Sequence, residues 1–242
     1  MYTVAIIVST FGYHWEEVLT PYLVFEANGW QALFFTLDGK QPTADPNSVV
    51  IRPLLCHVGL GTKPEFAPSS EIGLKFLQAL QNNMQAVDEI SIKDIDALYV
   101  AGGHGALFDI NVALSVHKKI KEAFEAGKII SAVCHGVSAL AFVQESNQAI
   151  VKGKKITCFP DLEDDLLIPL GLVDKKFLPL PYRNEQKLRE AGALMDVSQR
   201  LLSLLNPSYY VVDFPFVTGV GPKAAQDVAE AVATLGSTPQ TL

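Results

Sequence analysis

The feature that most constrains this chain is an alternation. Short β-branched and apolar runs are followed, again and again, by stretches whose apolar residues fall three and four apart. The runs are "TVAIIVS" (3–9), "WQALFFTL" (30–37), "DALYVAG" (96–102), "IISAVC" (129–134), "KITCF" (155–159) and a late pair within "SYYVVDFPFVTGV" (208–220). The intervening stretches are 15–28, 70–83, 112–127, 137–144, 184–192 and 222–236. In 112–127, Ile120, Ala123 and Phe124 share one face while Lys118, Lys121 and Glu122 share the other, which is the period of an amphipathic helix. Gly29, Gly127 and Gly192 follow three of these stretches, where a left-handed residue ends a helix. Strand and helix alternating along nearly the whole chain predict an α/β fold: a flavodoxin-like, doubly wound, mostly parallel sheet with helices on both faces. Folds of this kind place their sites at the carboxyl ends of the strands.

Two segments break the pattern. Residues 38–67 are rich in Gly, Pro, Asn and Asp and predict an irregular excursion, a small cap over the sheet. Residues 160–181, with prolines at 160, 169, 179 and 181, predict a short helix followed by extended chain. Long irregular insertions in compact domains usually carry function. With these two excursions, residues 1–242 are expected to form a single domain, since 49% hydrophobic residues suffice for one large core.

Composition narrows the partners. Nineteen Lys and Arg against 26 Asp and Glu give a formal charge of -7, and no extended basic run occurs, so a nucleic-acid partner is not expected. The N-terminal apolar run lacks a positive region before it and a cleavage site after it, so it reads as a first strand. Nor is any apolar run long enough to cross a bilayer. Cys56, Cys134 and Cys158 form an odd set without framework spacing, which argues for a reducing, cytoplasmic setting.

Several strand ends carry chemistry. In "SAVCHGVSA" (131–139) Cys134 stands where a strand turns sharply into a helix, with Gly136 letting the turn close. A strained turn of that kind pushes a nucleophile out over the sheet edge, and a helix N-terminus favours a thiolate. "YVAGGHGALFD" (99–109) ends another strand in Gly102, Gly103 and Gly105, whose exposed N–H groups suit an oxyanion. Glu16 and Glu17 fall in the first turn of the first helix, and Asp161, Glu163 and Asp164 follow the "KITCF" run directly. A thiol, carboxyl groups and a glycine turn thus converge on one edge, as an active site requires. Cys56–His57, a second Cys-His pair, sits in the irregular excursion without a helix after it to activate the thiol. The five histidines show no ligand spacing along the chain, so no metal and no other cofactor are expected.

"AGGHGALFD", "AVCHG" and "FPDLED", in this order after "EEVLTPYLVFEANGW" and before "FVTGVGPKAA", resemble the ThiJ/PfpI superfamily. This is the class I glutamine-amidotransferase-like group that contains the parkinsonism-associated deglycase. Within it, the chain is most similar to the branch of heat-shock chaperones and glyoxalase III enzymes. The resemblance implies that Cys134 is the nucleophile and His135 its base. It makes Asp164 the third member, with Asp161 and Glu163 as runners-up, and Glu17 rather than Glu16 the family's N-terminal glutamate. It also assigns the N–H groups of Gly103 and His135 to an oxyanion hole, and Gly102 and His104 to the pocket. The implied activity is a stress-response conversion of a reactive 2-oxoaldehyde such as methylglyoxal to lactate without glutathione, a lyase of the D-lactate dehydratase type, with protein deglycation as a related outcome. A holding chaperone or redox sensor, a glutaminase and a cysteine peptidase are the alternatives. A homodimer is expected from the apolar "LLIPLGLV" stretch, which would be costly in water. One departure from the family is Val137 after "CHG", where Pro is frequent.

Overall fold

A computed structural model describes residues 1–56, 59–195 and 206–237. The first strand, β1 (Thr3–Ile7), shows why the sheet is covered on both sides: Val4 and Ile6 enter one apolar cluster, Ala5 and Ile7 the other. A strand buried on both faces reads as a continuous apolar run rather than an alternating one. β2 (Gln31–Thr36), β3 (Met84–Ala86), β4 (Ala97–Val100), β5 (Ile129–Val133), β8 (Tyr210–Asp213) and β9 (Phe216–Gly219) complete a seven-stranded sheet in the order β3-β2-β1-β4-β5-β9-β8. Every pairing is parallel except β8 with β9. A separate two-stranded hairpin pairs β6 (Gln144–Glu145) with β7 (Gln148–Ala149).

Helices α1 (Trp15–Ala27), α2 (Glu71–Asn83) and α6 (Ala224–Ser237) bury Leu19, Phe25, Phe76 and Val228 against one face. On the other face α3 (Leu114–Glu125) buries Val116, Ile120 and Ala123. The chain runs outward through β2 and β3, then returns to place β4 beside β1. This reversal is the switch point at which such sheets open a crevice beyond the strand ends. The segments after β1, β4 and β5 all emerge there. Two shorter helices, α4 (Asp161–Leu167) and α5 (Asn184–Glu190), complete the α-helices among the described residues.

The mostly parallel α/β sheet agrees with the expectation, and two local expectations require correction. Residues 155–159 do not join the sheet: Lys155 makes a lone bridge to Leu194, and the Thr157 N–H donates to Thr218 Oγ1 at 3.0 Å. The reason is that β9, the strand they reach, already pairs with β5 on one side and β8 on the other. The stretch expected as a helix over 137–144 is a tight 3-10 helix, Cys134–Phe142, which starts at the thiol itself. The described residues of 38–67 form no strand or α-helix and are held by lone bridges Tyr13–Ala44 and Ile51–Thr62. His57 lies outside the described residues; Cys56 is buried, its thiol turned to the Pro53 carbonyl.

Candidate active site

Cys134 occupies the turn between β5 and the 3-10 helix with φ 55°, a left-handed conformation that costs a non-glycine residue about 1–2 kcal/mol. Two glycines make that turn feasible. A Cβ on Gly136 would lie 2.5 Å from the Ala101 carbonyl oxygen, and one on Gly102 would lie 2.8 Å from the Cys134 Cβ. Backbone from β4 therefore passes directly against the elbow. The Gly103 and His135 N–H groups both point at the Cys134 sulfur, where an anion on or beside that atom would meet two donors.

The side chains form a relay. His135 Nδ1 lies 3.4 Å from Cys134 Sγ, and its Nε2 lies 3.0 Å from Asp164 Oδ2. With a proton on Nε2 for the carboxylate, Nδ1 is free to accept one from the thiol. Asp164 stands at the start of α4 and reaches the site with one oxygen for each of two histidines, since His104 Nε2 lies 3.1 Å from Oδ1. His104 is therefore more than a wall of the pocket. Its Nδ1 lies 3.9 Å from Asp45 Oδ2, so this ring spans two carboxylates.

Burial and these partners decide the charges. Burial would depress His104, but Asp164 and Asp45 outweigh it and raise the ring to about 9. Burial would raise Asp164, yet His135 and His104 hold it well below the usual carboxylate range. His135 is pushed down by burial, which outweighs Asp164, and by the neighbouring His104, so it stays neutral and basic at neutral pH. Glu17, fully buried in the first turn of α1, is raised by burial to about 8. Its Oε2 accepts the Gly102 N–H at 2.9 Å. Its Oε1 accepts no hydrogen bond among the described residues, and the Cys134 thiol is the side chain it interacts with.

The thiol differs from expectation in two ways. Cys134 is buried rather than open to bulk solvent, and its pKa is raised, first by burial and then by the Glu17 carboxylate. Both effects exceed the help of the two N–H groups. A protonated Glu17 removes the repulsion and turns it into a donated hydrogen bond, so the thiolate is favoured only while Glu17 keeps its proton.

Glu16 has a different office from its neighbour. Its Oε1 accepts from Thr62 Oγ1 at 2.8 Å and its Oε2 from Lys223 Nζ at 2.7 Å, so it ties the cap to the loop before α6. Of the runners-up to Asp164, Asp161 accepts the N–H groups of Glu185 and Gln186 at the start of α5, and Glu163 lines the same cavity as Cys134. The cavity, about 200 Å³, is lined by Cys134, His135, His104 and Gly103, by Leu60, Leu166, Leu167 and Leu172, and by cap residues that include Asp45 and Arg52. Sequence reasoning overlooked Asp45 and Arg52, which sit in the irregular excursion with no motif around them. It also overlooked Asn184, whose amide donates to the Cys134 and Phe159 carbonyls and which reads in sequence as an ordinary helix start. His104, His135 and Asp164 place their ligand atoms within 4.8 Å of one another, a grouping able to hold a metal ion that spacing along the chain does not reveal.

A parallel sheet with a cysteine elbow at the end of a central strand, a histidine beside it and a carboxyl group from the first helix defines the class. Residues 81–235 match the DJ-1/PfpI family, and the chain belongs to that family. It is 30% identical over 226 residues to the glutathione-independent glyoxalase hsp3102 of Schizosaccharomyces pombe, covering 91% of this chain and 87% of that one. Its fold is similar to the crystal structure of glyoxalase III from Candida albicans, with TM-score 0.73, 25% identity and 96% of each chain covered. It is also similar to the Rapid Encystment Protein 24 kDa of Francisella tularensis, with TM-score 0.78, 25% identity, and 98% and 100% covered.

Proposed function

We propose that the chain is a glutathione-independent glyoxalase that converts methylglyoxal or a related 2-oxoaldehyde to a 2-hydroxy acid, with Cys134 as nucleophile. The observation that carries this reading is the meeting of two proton-handling groups, neutral His135 and protonated Glu17, at one sulfur inside a small cavity. An acyl-transfer site needs one base; an isomerisation between adjacent carbons needs a proton taken and a proton returned. The likeness to relatives named as glyoxalases supports it further.

In this mechanism the Cys134 proton passes to His135 Nδ1, and the imidazolium is stabilised by Asp164. The sulfur adds to the aldehyde carbon, and the oxygen that becomes anionic is met by the Gly103 and His135 N–H groups before it is protonated to a hemithioacetal. The proton on that carbon is then removed, giving an enediol, and a proton is delivered to the neighbouring carbon to leave a thioester of the 2-hydroxy acid. Glu17 and His135 are the groups within reach of both transfers. Water hydrolyses the thioester, releasing the carboxylate and restoring the thiol. These steps ask nothing of glutathione, because the protein supplies the thiol.

The peptidase alternative fits less well, since a cavity of about 200 Å³ has no extended groove for a chain. The glutaminase alternative normally places its His far downstream of the Cys, whereas here the two are adjacent. The reading is of a single-domain cytoplasmic enzyme. Among the described residues no helix is long and apolar enough to cross a membrane. The test is lactate formation from methylglyoxal in glutathione-free buffer. Wild type is expected to be active, and Cys134→Ser to lose about a thousandfold or more, as nucleophile deletions do, with an unchanged unfolding midpoint. Lactate from the serine variant at the wild-type rate would end the proposal.

A further inference from the structure

The chemistry at Cys134 leaves a cation in the cavity unemployed. Arg52 is the one Lys or Arg among the described residues lining it, and its Nη1 is buried without a hydrogen-bond partner. A guanidinium nitrogen withdrawn from water and left unpaired is costly unless something else fills the position. No carboxylate hydrogen-bonds this nitrogen, and Asp45 faces His104.

The cap is built to hold this side chain in place. The Arg52 N–H donates to the Thr62 carbonyl at 3.2 Å, beside the lone bridge of Ile51 with Thr62. Gly61, at φ 93°, leaves room for the arginine stem, since a Cβ there would lie 3.1 Å from Arg52 Cβ and Cγ and 2.4 Å from the Val50 carbonyl oxygen. Thr62 in turn is bonded to Glu16, the residue next to Glu17 in α1. The Arg52 backbone is thus tied through Thr62 to α1, at the residue next to Glu17. Leu60, Leu167 and Leu172 share the cavity wall with it. The cavity therefore offers a nucleophile, an aliphatic lining and an unpaired planar cation.

We propose that Arg52 is a specificity-determining residue that binds a terminal carboxylate, so that the preferred substrates are 2-oxoaldehydes carrying a carboxylate beyond a short methylene chain. The inference rests on the glyoxalase reading for its chemistry and names the substrate class of that site. A guanidinium fork matches a carboxylate with two parallel hydrogen bonds, which orients as well as attracts. With 4,5-dioxopentanoate the aldehyde carbon adds to Cys134 and the remote carboxylate meets Arg52. Water is consumed, the aldehyde carbon is oxidised to a carboxylate, and the adjacent ketone is reduced to a secondary alcohol. The product is a 2-hydroxy dicarboxylate, and no external oxidant or reductant is required.

The experiment compares kcat/KM for 4,5-dioxopentanoate and methylglyoxal in wild type, Arg52→Gln and Arg52→Lys. Wild type is expected to prefer the carboxylate-bearing substrate. In Arg52→Gln the ratio of the two should fall by about 10- to 100-fold, the range of a hydrogen bond to a charged group, mainly through KM. Arg52→Lys should fall between, because it keeps the charge without the fork. A ratio unchanged by Arg52→Gln overturns the assignment. A second arm is independent of turnover: 4-oxopentanoate, which lacks the aldehyde, should protect Cys134 from iodoacetamide in wild type and not in Arg52→Gln. Equal protection in both, or inorganic phosphate protecting as well as 4-oxopentanoate, also overturns it. If neither aldehyde is consumed while this protection is seen, the glyoxalase reading falls and the carboxylate site stands.

Discussion

At the scale of single residues, the division between Glu16 and Glu17 is the most informative contrast. Both lie in the first turn of α1, and both are buried. Lys223 and Thr62 more than offset the burial of Glu16, so it remains charged, whereas burial of Glu17 outweighs the thiol, the Gly102 N–H and His104, so it keeps its proton until about pH 8. A carboxyl group whose folded pKa is raised binds a proton that the unfolded chain has already released. Stability is therefore lost as pH rises from about 4.5 toward 8. Glu17→Gln removes that loss, so its unfolding midpoint should overtake that of wild type as pH rises to 9. The same variant keeps a donor toward the sulfur but moves no proton. Cys134 alkylation by iodoacetamide should persist while lactate formation drops about 100-fold or more. A variant that forms lactate normally would remove Glu17 from the proton path.

At the scale of elements, the elbow depends on a close backbone crossing. Val100 and Ala101 at the end of β4 run against Gly136 in the 3-10 helix, with no room for a Cβ. Gly136→Ala should lower stability by at least about 2 kcal/mol, the cost of forcing extra volume into packed backbone, read as a shift in urea midpoint. A well-tolerated alanine would mean the 3-10 helix can move away from β4. The cap is joined to the sheet by a different device, the Thr62–Glu16–Lys223 bridge. Glu16→Gln leaves Lys223 without its counter-charge and should cost about 1–3 kcal/mol and raise KM more than it lowers kcat. Because Glu16 is held below its ordinary value, its contribution is present above pH 4.5 and is lost as pH falls through the lower, folded value. An unaltered KM in Glu16→Gln would detach the cap from substrate binding.

At the scale of the whole molecule, the site is assembled from segments that follow β1, β4 and β5, closed by the cap and by α4. The lid region is unusually apolar outside: Leu54, Leu166 and Leu170 are 89%, 50% and 70% exposed, and Leu162 lies on the same short helix as Leu166. Contiguous apolar surface is costly in water and commonly marks an interface, and three of these leucines fall within residues 162–170. A homodimer is the expected outcome, measured as a mass near twice 26.3 kDa by light scattering at micromolar concentration. A monomer mass would leave that surface for another partner. The acidic balance, a net charge of -7, has the wrong sign to draw the chain to nucleic acid.

The sequence by itself determined the layers and the motif-bearing strand ends. Apolar periods of two and of three to four depend on local geometry, and the glycines of "AGGHG" and "AVCHG" are legible because only they fit a sharp turn at a strand end. It also placed Cys134, His135, the pair Glu16 and Glu17, and the acids Asp161, Glu163 and Asp164 at one edge, although the choice of Glu17 and Asp164 and the roles of all four site residues came from resemblance rather than from spacing. Tertiary structure alone decided the rest. Whether "KITCF" could enter the sheet depended on β9 having a free edge, which is a fact about distant strands. Whether the thiol was open or buried depended on how distant segments close over it, and the direction of its pKa follows first from that burial and then from Glu17, more than a hundred residues away in the chain. Asp45 and Arg52 were invisible because an irregular cap carries no periodicity, so their meaning appears only once the fold folds them over the cavity.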